Sequence, residues 1–594
     1  MNLRAKIENP AAALAAFLIA LRADRPRLLE QGDPLEICLA FAGDSALVAD
    51  SVARSHLAEL SGDLRDYAVS SAYALLIGHD RRKALSAYFT PPSLGKATIE
   101  AARPFFERPG AKVLDPACGG GSFLVPTARA MIAHVVAAGA PIETACAEAI
   151  RHIHGIELEP GLATLSSTLL AHALRREFGV AVDTSEVVEI ADALEAVTGE
   201  RFDLIIGNPP YSKVWSAGAA RIGALAGKAN LGGHTNLYAL FVIRSLDWLK
   251  PGGGLAFVLP TSFIAGPYFK GLRQEILERA NVVRIDLHSE RENLFIDAIQ
   301  DVCLLVLQRH GGDCMRTDRH ELGLIDADGK RTSLGTACTG LDGEPWLVPV
   351  AGAPQSSAHH FSLTTSKPAS VIASYGYRVR VGKVVPKRER ERLFSEPAPG
   401  RLPVLWASDI RADGVFKFQG GTRTSLSAWY LPASNGGLEY VSRGRSVIVQ
   451  RTANRDQRRR LNASAVSEEF AAEHAKHGYV AENHVIVIEP AMAEPIVEPD
   501  NLAALLNSAI VSERFSAVAG SFSVSAKLLS RLALPPADAL PAMGPQFEED
   551  LVGSFAELDG VLAESAPAHI VSPVSQRKAP SRTAGISPTP SSLR

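Results

Sequence analysis

An α/β fold built on a largely parallel sheet, with a helical region before it and a second, α+β domain after it, is what this sequence predicts. Three observations support the prediction. Residues 1–84 are rich in Ala and Leu at helical spacing, as in "AAALAAFLIALRADRPRLLE" and "VARSHLAELSGDLRDYAVSSAYALLIGHD", where apolar positions recur with a helical period. From 85 to 310 short apolar runs alternate with helix-length stretches, as expected of strands joined through helices that cover both faces of a sheet. Beyond 365, strand-like pieces return inside a strongly basic stretch.

Taken in order, residues 1–84 are expected to form several helices that cap the 85–310 domain. The candidate strands of that domain are "AKVLDPA", "IHGIEL", "SEVVEIAD", "FDLIIGN", "GGLAFVLP", "VVRIDLH" and "VCLLVLQR". Ligands of such sheets bind beyond the carboxyl ends of the strands. Residues 311–365 are Gly-, Asp-, Ser- and Thr-rich with few long apolar runs, and are expected to be a connecting segment. In 366–565 the strand-like pieces are "YRVRVGKVV", "RSVIVQRT" and "NHVIVIEP", followed by a helical stretch, "NLAALLNSAIVSERFSAV". Residues 566–594 end in a Pro/Ser-rich run without a core-forming pattern and are expected to be disordered.

The chain's 594 residues exceed what one core organises. A hydrophobic fraction of 46% with 21% charged residues is that of an ordinary soluble protein. The longest apolar runs, Leu255 to Leu259 and Val302 to Leu307, are of strand length, and the first residues lack the succession of a signal peptide. No membrane association is therefore expected, and the expected location is the cytoplasm. Six cysteines (Cys38, Cys118, Cys146, Cys303, Cys314, Cys338) occur without a CxxC pair, which argues against a zinc ribbon or a disulfide framework. The net charge of −3 is not evenly spread: Val371 to Asn462 holds 18 Lys/Arg against 7 Asp/Glu. Charge concentrated in this way is how a nucleic-acid footprint shows in sequence.

Four successive strand ends present polar groups, Asp115, Glu157, Asp192 and Asn208, on one rim of the expected sheet. After the first, Gly119, Gly120 and Gly121 permit a tight turn with backbone N–H groups close to a ligand, and Ser122 can cap the helix that begins there. The turn reads Cys-Gly-Gly-Gly-Ser-Phe rather than G-x-G-x-x-G, and Glu157 follows only after an additional helical segment, so a dinucleotide site is disfavoured. A carboxylate at Glu157 suits a ribose diol, since it accepts both hydroxyl protons, and Asp192 could take an exocyclic amine. After the fourth strand, Asn208-Pro209-Pro210-Tyr211 ends "FDLIIGNPPY" with two prolines that fix the backbone and remove two N–H donors.

In order, "SAYFTPPSLGKATI", "VLDPACGGGSFL", "GIELEP", "IADALE", "LIIGNPPY", "LKPGGGLAFVLPTSFI" and "NLFIDAIQDVCLLVLQR" resemble the successive motifs of S-adenosylmethionine-dependent DNA adenine-N6 methyltransferases. The order is that of the gamma class, and the likeness is to restriction–modification methylases of the Eco57I and TaqI type. It covers about residues 85–310 closely and the C-terminal half only in layout. The resemblance implies a Rossmann-like methyltransferase domain over 85–310 and a C-terminal target-recognition domain over 366–565. It implies S-adenosylmethionine as cofactor, double-stranded DNA as partner, no metal, a companion restriction endonuclease on a separate chain, and is compatible with a monomer. Carried over residue by residue, it puts Tyr88, Phe89, Thr90 and Pro91 on the methionine side. Asp115, Ala117, Gly119 and Gly121 would lie near the methionine and sulfonium end, Glu157 on the ribose and Asp192 on the adenine amine, while Phe123 would flank the adenosine or belong to the core.

The tip fits this chemistry. An exocyclic amine on an aromatic ring is a poor nucleophile because its lone pair is delocalised. If the Asn208 side-chain oxygen and the Pro209 carbonyl each accept an amino hydrogen, the nitrogen is held toward tetrahedral geometry with its lone pair aimed at the methyl group. Pro209 and Pro210 hold those acceptors rigid. Tyr211 would stack on the base, with Phe295 on its other face in family terms, and a base so clamped must leave the duplex. Arg378, Arg380, Lys383, Lys387, Arg388, Arg443, Arg445, Arg451 and Arg455 are candidate phosphate or base contacts, with Asn483 and His484 nearby in "GYVAENHVIVIEP". Alternatives stay open: cytosine N4, an RNA base or a protein glutamine as target, or a subunit that depends on a separate specificity chain.

Overall fold

The computed structural model describes residues 10–43, 45–85, 89–196, 199–213, 236–289, 294–295, 300–311, 316–339, 346, 370–419, 427–432, 440–451, 459–519 and 524–559. It opens with helices α1 (Pro10–Gln31), α2 (Pro34–Gly43), α3 (Val52–Ala58), α4 (Gly62–Leu76) and α5 (His79–Leu85). Asp33 starts α2 by accepting from the backbone N–H groups of Leu35 and Glu36 at 2.8 and 2.9 Å, which satisfies donors that have no partner within a helix. Helix α4 is enclosed nearly all round, with every residue from Arg65 to Ala74 buried.

α6 (Pro92–Phe106) leads into the sheet, with Pro at its first position, where the missing N–H costs nothing. There follow β1 (Val113–Asp115), α7 (Leu124–Ala137), α8 (Ile142–His152), β2 (Ile153–Glu157), α9 (Pro160–Phe178), β3 (Val188–Ile190) and β4 (Phe202–Gly207). The chain continues through α10 (Leu237–Trp248), β5 (Leu249–Pro260), α11 (Ser262–Ala265), α12 (Lys270–Arg279), β6 (Ala280–His288), β7 (Val302–Arg309), β8 (Arg319–Ile325) and β9 (Arg331–Cys338). The strand order is β3-β2-β1-β4-β5-β7-β6-β8-β9. The first five run parallel, whereas β7 lies antiparallel between β5 and β6. Leaving β1 the chain builds outward through β2 and β3, then returns to place β4 on the other side of β1. The order thus reverses between β1 and β4, where an open α/β sheet leaves a crevice at its carboxyl edge.

Period-two alternation of apolar residues builds two cores from one sheet. Leu204 and Ile206 of β4, Ala256 and Val258 of β5, and Leu304 and Val306 of β7 pack with α1, α2, α4, α6, α7 and α9. Ile205, Leu255, Phe257, Leu305 and Leu307 pack on the other face with α10 and α12. Each such side chain, fully buried, contributes about 1.5–3 kcal/mol. The N-terminal helices share the first core: Phe17, Phe41 and Tyr73 belong to the same cluster as Leu165 and Leu169 of α9. Strands β8 and β9 fall within 311–365, the stretch expected to connect domains, and they extend the sheet.

Among the described residues the C-terminal half holds two four-stranded sheets. One has the order β10-β17-β14-β15, from Tyr377–Val381, Val485–Pro490, Val447–Gln450 and Ala463–Ala465; the other has β11-β13-β12-β16, from Leu393–Phe394, Trp429–Tyr430, Leu402–Leu405 and Val480–Ala481. In the first sheet Ile486, Ile488, Val447 and Val449 face helices Pro499–Asn507, Ala509–Ala519 and Phe547–Asp559, while Val485, Val487 and Ile448 face Phe470 and Tyr479. Among the described residues no helix is long and apolar enough to cross a membrane.

Candidate active site

At the crevice between β1 and β4 a cavity of about 260 Å³ opens, lined from every strand end that the sequence places on this rim. Phe89, Thr90, Asp115, Ala117, Gly119, Glu157, Asp192, Asn208 and Pro210 all line it. The turn after β1 sets the geometry. Gly119 and Gly121 have φ of +53° and +84°, values that a side chain resists. A Cβ on Gly119 would also stand 3.0 Å from the Phe89 ring. Gly121 does not line the cavity; its N–H donates to the Cys118 carbonyl at 2.9 Å and closes the turn.

Asp115 is 1% exposed, and its Oδ1 accepts from the Ala117 N–H at 3.1 Å. Burial, reinforced by the charge of Glu157, pushes its carboxyl up to about 8. Across the crevice a Cβ on Gly207 would lie 2.6 Å from Asp115 Oδ1, so β4 must end in glycine for the carboxylate to fit. The Glu157 carboxylate is held by two backbone donors, Gly119 N–H at 2.8 Å and Glu159 N–H at 2.9 Å. Burial raises its pKa, and those hydrogen bonds oppose the rise. Asp192 Oδ1 accepts from the Leu194 N–H at 2.9 Å, which fixes the carboxylate at the cavity. Two hydroxyls at the cavity, Thr90 Oγ1 and Ser122 Oγ, are buried without a hydrogen-bond partner among the described residues.

The tip after β4 is arranged differently for its aromatic member. Asn208 and Pro210 face the cavity, whereas Pro209, Tyr211 and Phe295 are not among its lining. The Tyr211 hydroxyl donates to Asn208 Oδ1 at 2.5 Å, with the Val258 carbonyl at 3.2 Å. Its ring meets Tyr238 and Phe295 edge-on, at centroid distances of 6.2 and 6.4 Å. Phe295 is 3% exposed and belongs to the first core. Pro91 caps α6 without lining the cavity, its carbonyl accepting from the Gly95 N–H at 2.9 Å. Tyr88 lies outside the described residues. The apolar lining, which includes Leu158, Leu162, Leu194, Leu237 and Phe241, escaped sequence reasoning because apolar residues beside strand ends look like core.

Residues 65–338 match the N-6 DNA methylase family. The match runs from α4 to the end of β9. Similar to the chain is the type II methyltransferase M.BsuBI of Bacillus subtilis, 24% identical over 512 residues that cover 81% of this chain and 93% of the relative. The type II methyltransferase M.PstI of Providencia stuartii is 23% identical over 387 residues, covering 61% of this chain and 71% of that one. Among solved structures, the type IIL restriction–modification enzyme MmeI in complex with DNA shares the fold at a TM-score of 0.54 and 13% identity, over 86% of this chain and 80% of that one. An N-6 DNA methylase uses S-adenosylmethionine, and the cavity fits that ligand: its charged lining groups, Asp115, Glu157 and Asp192, are all carboxylates, suited to a molecule carrying a sulfonium and an ammonium. The two unpartnered hydroxyls supply further polar partners.

The basic residues of the C-terminal half fall into two groups. Arg380 is drawn inward, its side chain 17% exposed, and bonds Glu489, the Ser442 hydroxyl and the Tyr440 carbonyl. Arg378 also reaches Glu489, and Arg445 pairs with Asp500 and Glu468. Arg451 donates to the Asn483 carbonyl at 3.1 Å. Lys383, Lys387, Arg388 and Arg443 are exposed. Of these, Lys383, Lys387 and Arg388 flank the point where Asn483 N–H donates to the Val384 carbonyl, which brings Asn483, His484 and Arg451 to the same end of the sheet. Arg455 lies outside the described residues.

Proposed function

We propose that the chain is an adenine-specific DNA methyltransferase that methylates N6 of a base flipped out of the duplex, as the modification component of a type II restriction–modification system. The observation that supports this most directly is the place of Asn208: its amide lines the same cavity as Asp115, Glu157 and Asp192, beside the reversal of strand order. In this reading Glu157 holds the ribose hydroxyls and Asp192 the adenine amine of the cofactor. Thr90 and Ser122 take the methionine end, with Phe89 fixing the glycine turn. Bound S-adenosylmethionine supplies an electrophilic methyl group on a sulfonium.

Asn208 Oδ1 and the Pro209 carbonyl each accept one hydrogen of the target amine, which turns the nitrogen lone pair toward the methyl carbon. Held this way, the amine would take the methyl group as the C–S electron pair left on sulfur, and one amino proton would depart to solvent. Tyr211 bonds Asn208 Oδ1 and so helps hold the acceptor in place. A base stacked on Tyr211 requires its ring to turn out of the edge-on contact with Phe295. The residues from 366 onward serve as the DNA-reading half, Lys383, Lys387 and Arg388 on phosphates, with a companion endonuclease on another chain and a cytoplasmic location.

The test is transfer of label from S-adenosylmethionine to plasmid DNA by the purified chain, with nucleoside analysis of the product. N6-methyladenine is expected from the wild type, reduced at least about a hundredfold in Asn208→Ala, since one directed acceptor typically accounts for that much. N4-methylcytosine would change the target base, and an unimpaired Asn208→Ala variant would remove the tip from the mechanism.

A further inference from the structure

Ser70 and Tyr73 stand three residues apart on α4 and so share a face, and both reach out of the N-terminal helices into the cofactor cavity's frame. The Ser70 hydroxyl donates to the Gly120 carbonyl at 2.7 Å, shared with the Asp66 carbonyl one turn back at 3.0 Å. A Cβ on Gly120 would lie 2.7 Å from the Ser70 Cβ, so the glycine turn is pressed against the helix. The Tyr73 hydroxyl lies 3.0 Å from each oxygen of Glu159 and donates to that carboxylate. Glu159 in turn accepts from the Leu162 N–H at 2.7 Å at the start of α9 and from Arg81 at 3.2 Å. A Cβ on Gly161 would stand 2.4 Å from the Tyr73 oxygen, which leaves no slack on this side either.

These contacts converge on one carboxylate. Glu157 is suspended between the N–H groups of Gly119 and Glu159. Ser70 grips the residue next to the first donor, and Tyr73 grips the residue that carries the second. We propose that Ser70 and Tyr73 are positioning residues, through which α4 sets the spacing of the two N–H groups and thereby aims the Glu157 carboxylate at the ribose diol of the cofactor. The inference rests on the reading of the cavity as the cofactor site. It gives the N-terminal helices a part in cofactor affinity beyond covering the sheet.

The experiment uses the full chain and its Ser70→Ala, Tyr73→Phe and Glu157→Ala variants. Calorimetric binding of S-adenosylhomocysteine is measured beside binding of its 2′,3′-dideoxy analogue, with the thermal midpoint as a folding control. The first two changes remove only a hydroxyl from sites 1% and 4% exposed, so the fold is retained. Each should weaken S-adenosylhomocysteine by about fivefold to tenfold, the usual worth of a hydrogen bond to a carboxylate or a held carbonyl. Neither should weaken the analogue without the diol by more than about twofold, and the KM for cofactor should rise while kcat at saturation holds. Equal weakening of both ligands, or wild-type affinity in both variants while Glu157→Ala binds poorly, overturns the positioning role and leaves the cavity assignment standing. Wild-type binding by Glu157→Ala overturns the assignment itself and the inference with it.

Discussion

Asp115 sits nearly sealed at the end of β1, its carboxyl pushed up to about 8 by burial and by the neighbouring Glu157 charge. At neutral pH burial favours the protonated form in the free protein, and a sulfonium beside it, on the reading proposed above, would favour the carboxylate. Cofactor binding should release that proton, and affinity should climb from pH 6 to 8 and level off above. Calorimetry in two buffers of different ionisation enthalpy measures the release; affinity constant across that range would refute it. The same shift has a sign for folding. The folded-state value lies above the unfolded value of about 3.9, so the contribution of Asp115 is full below the unfolded value and is lost as pH rises through about 8. Asp115→Asn should flatten that part of the pH–stability profile. At this scale the sequence was informative where a residue announces its chemistry by position: Asp115 and Glu157 end β1 and β2, Asp192 and Asn208 follow β3 and β4, and all four line one cavity. It was silent on Ser70 and Tyr73, whose partners lie 50 and 86 residues away and are chosen by packing rather than by any local pattern.

Helices α4, α7 and α9 meet at Arg129, whose side chain is 15% exposed and pairs with Asp63, Asp66 and Glu177. Arg176 adds a second cation on Asp66 at 3.2 Å. Removing Arg129 would leave three carboxylates crowded together with one flanking arginine. Arg129→Ala should therefore destabilise the fold by about 3 kcal/mol, the cost of stranding buried charge, whereas Glu177→Gln, at the more open end, should cost less than about 1 kcal/mol. Denaturant titration decides; equal costs would mean that Arg129 acts as a surface group. Burial and desolvation raise the Asp63 pKa even with Arg129 beside it, which is consistent with a site that tolerates no further loss of positive charge. Elements were legible in sequence where burial on both faces left an apolar run, as in β4, β5 and β7. Strands β8 and β9, the last two of the sheet, were not, because they mix Arg, His, Glu, Ser and Thr among few apolar residues. Strand β3 is only three residues long, so Asp192 lies in the turn beyond it rather than at its last position.

On the scale of the whole molecule the charge is divided: the half built on the nine-stranded sheet presents an acidic cavity, and 18 Lys/Arg against 7 Asp/Glu crowd Val371 to Asn462. Counting charges overstates the surface available to DNA, since Arg380 and Arg445 are committed to Glu489, Asp500 and Glu468 within the fold. The exposed Lys383, Lys387 and Arg388, gathered beside Asn483 and His484, have their charges turned to solvent. If they neutralise phosphates, each contact removed should lower the slope of log affinity against log salt by about 1 and weaken binding to all duplexes alike. The double variant Lys387→Ala/Arg388→Ala should thus bind DNA more weakly with a slope smaller by about 2, while its affinity for S-adenosylhomocysteine stays at the wild-type value. Arg380→Ala should do the reverse of a phosphate contact: it takes the more buried of two arginines from the Glu489 carboxylate between β10 and β14, and its damage should register as lost stability before any change in salt dependence. Fluorescence titration of a labelled duplex at several salt concentrations separates the two behaviours, and an unchanged slope in the double variant would move the DNA-binding surface away from this end of the sheet.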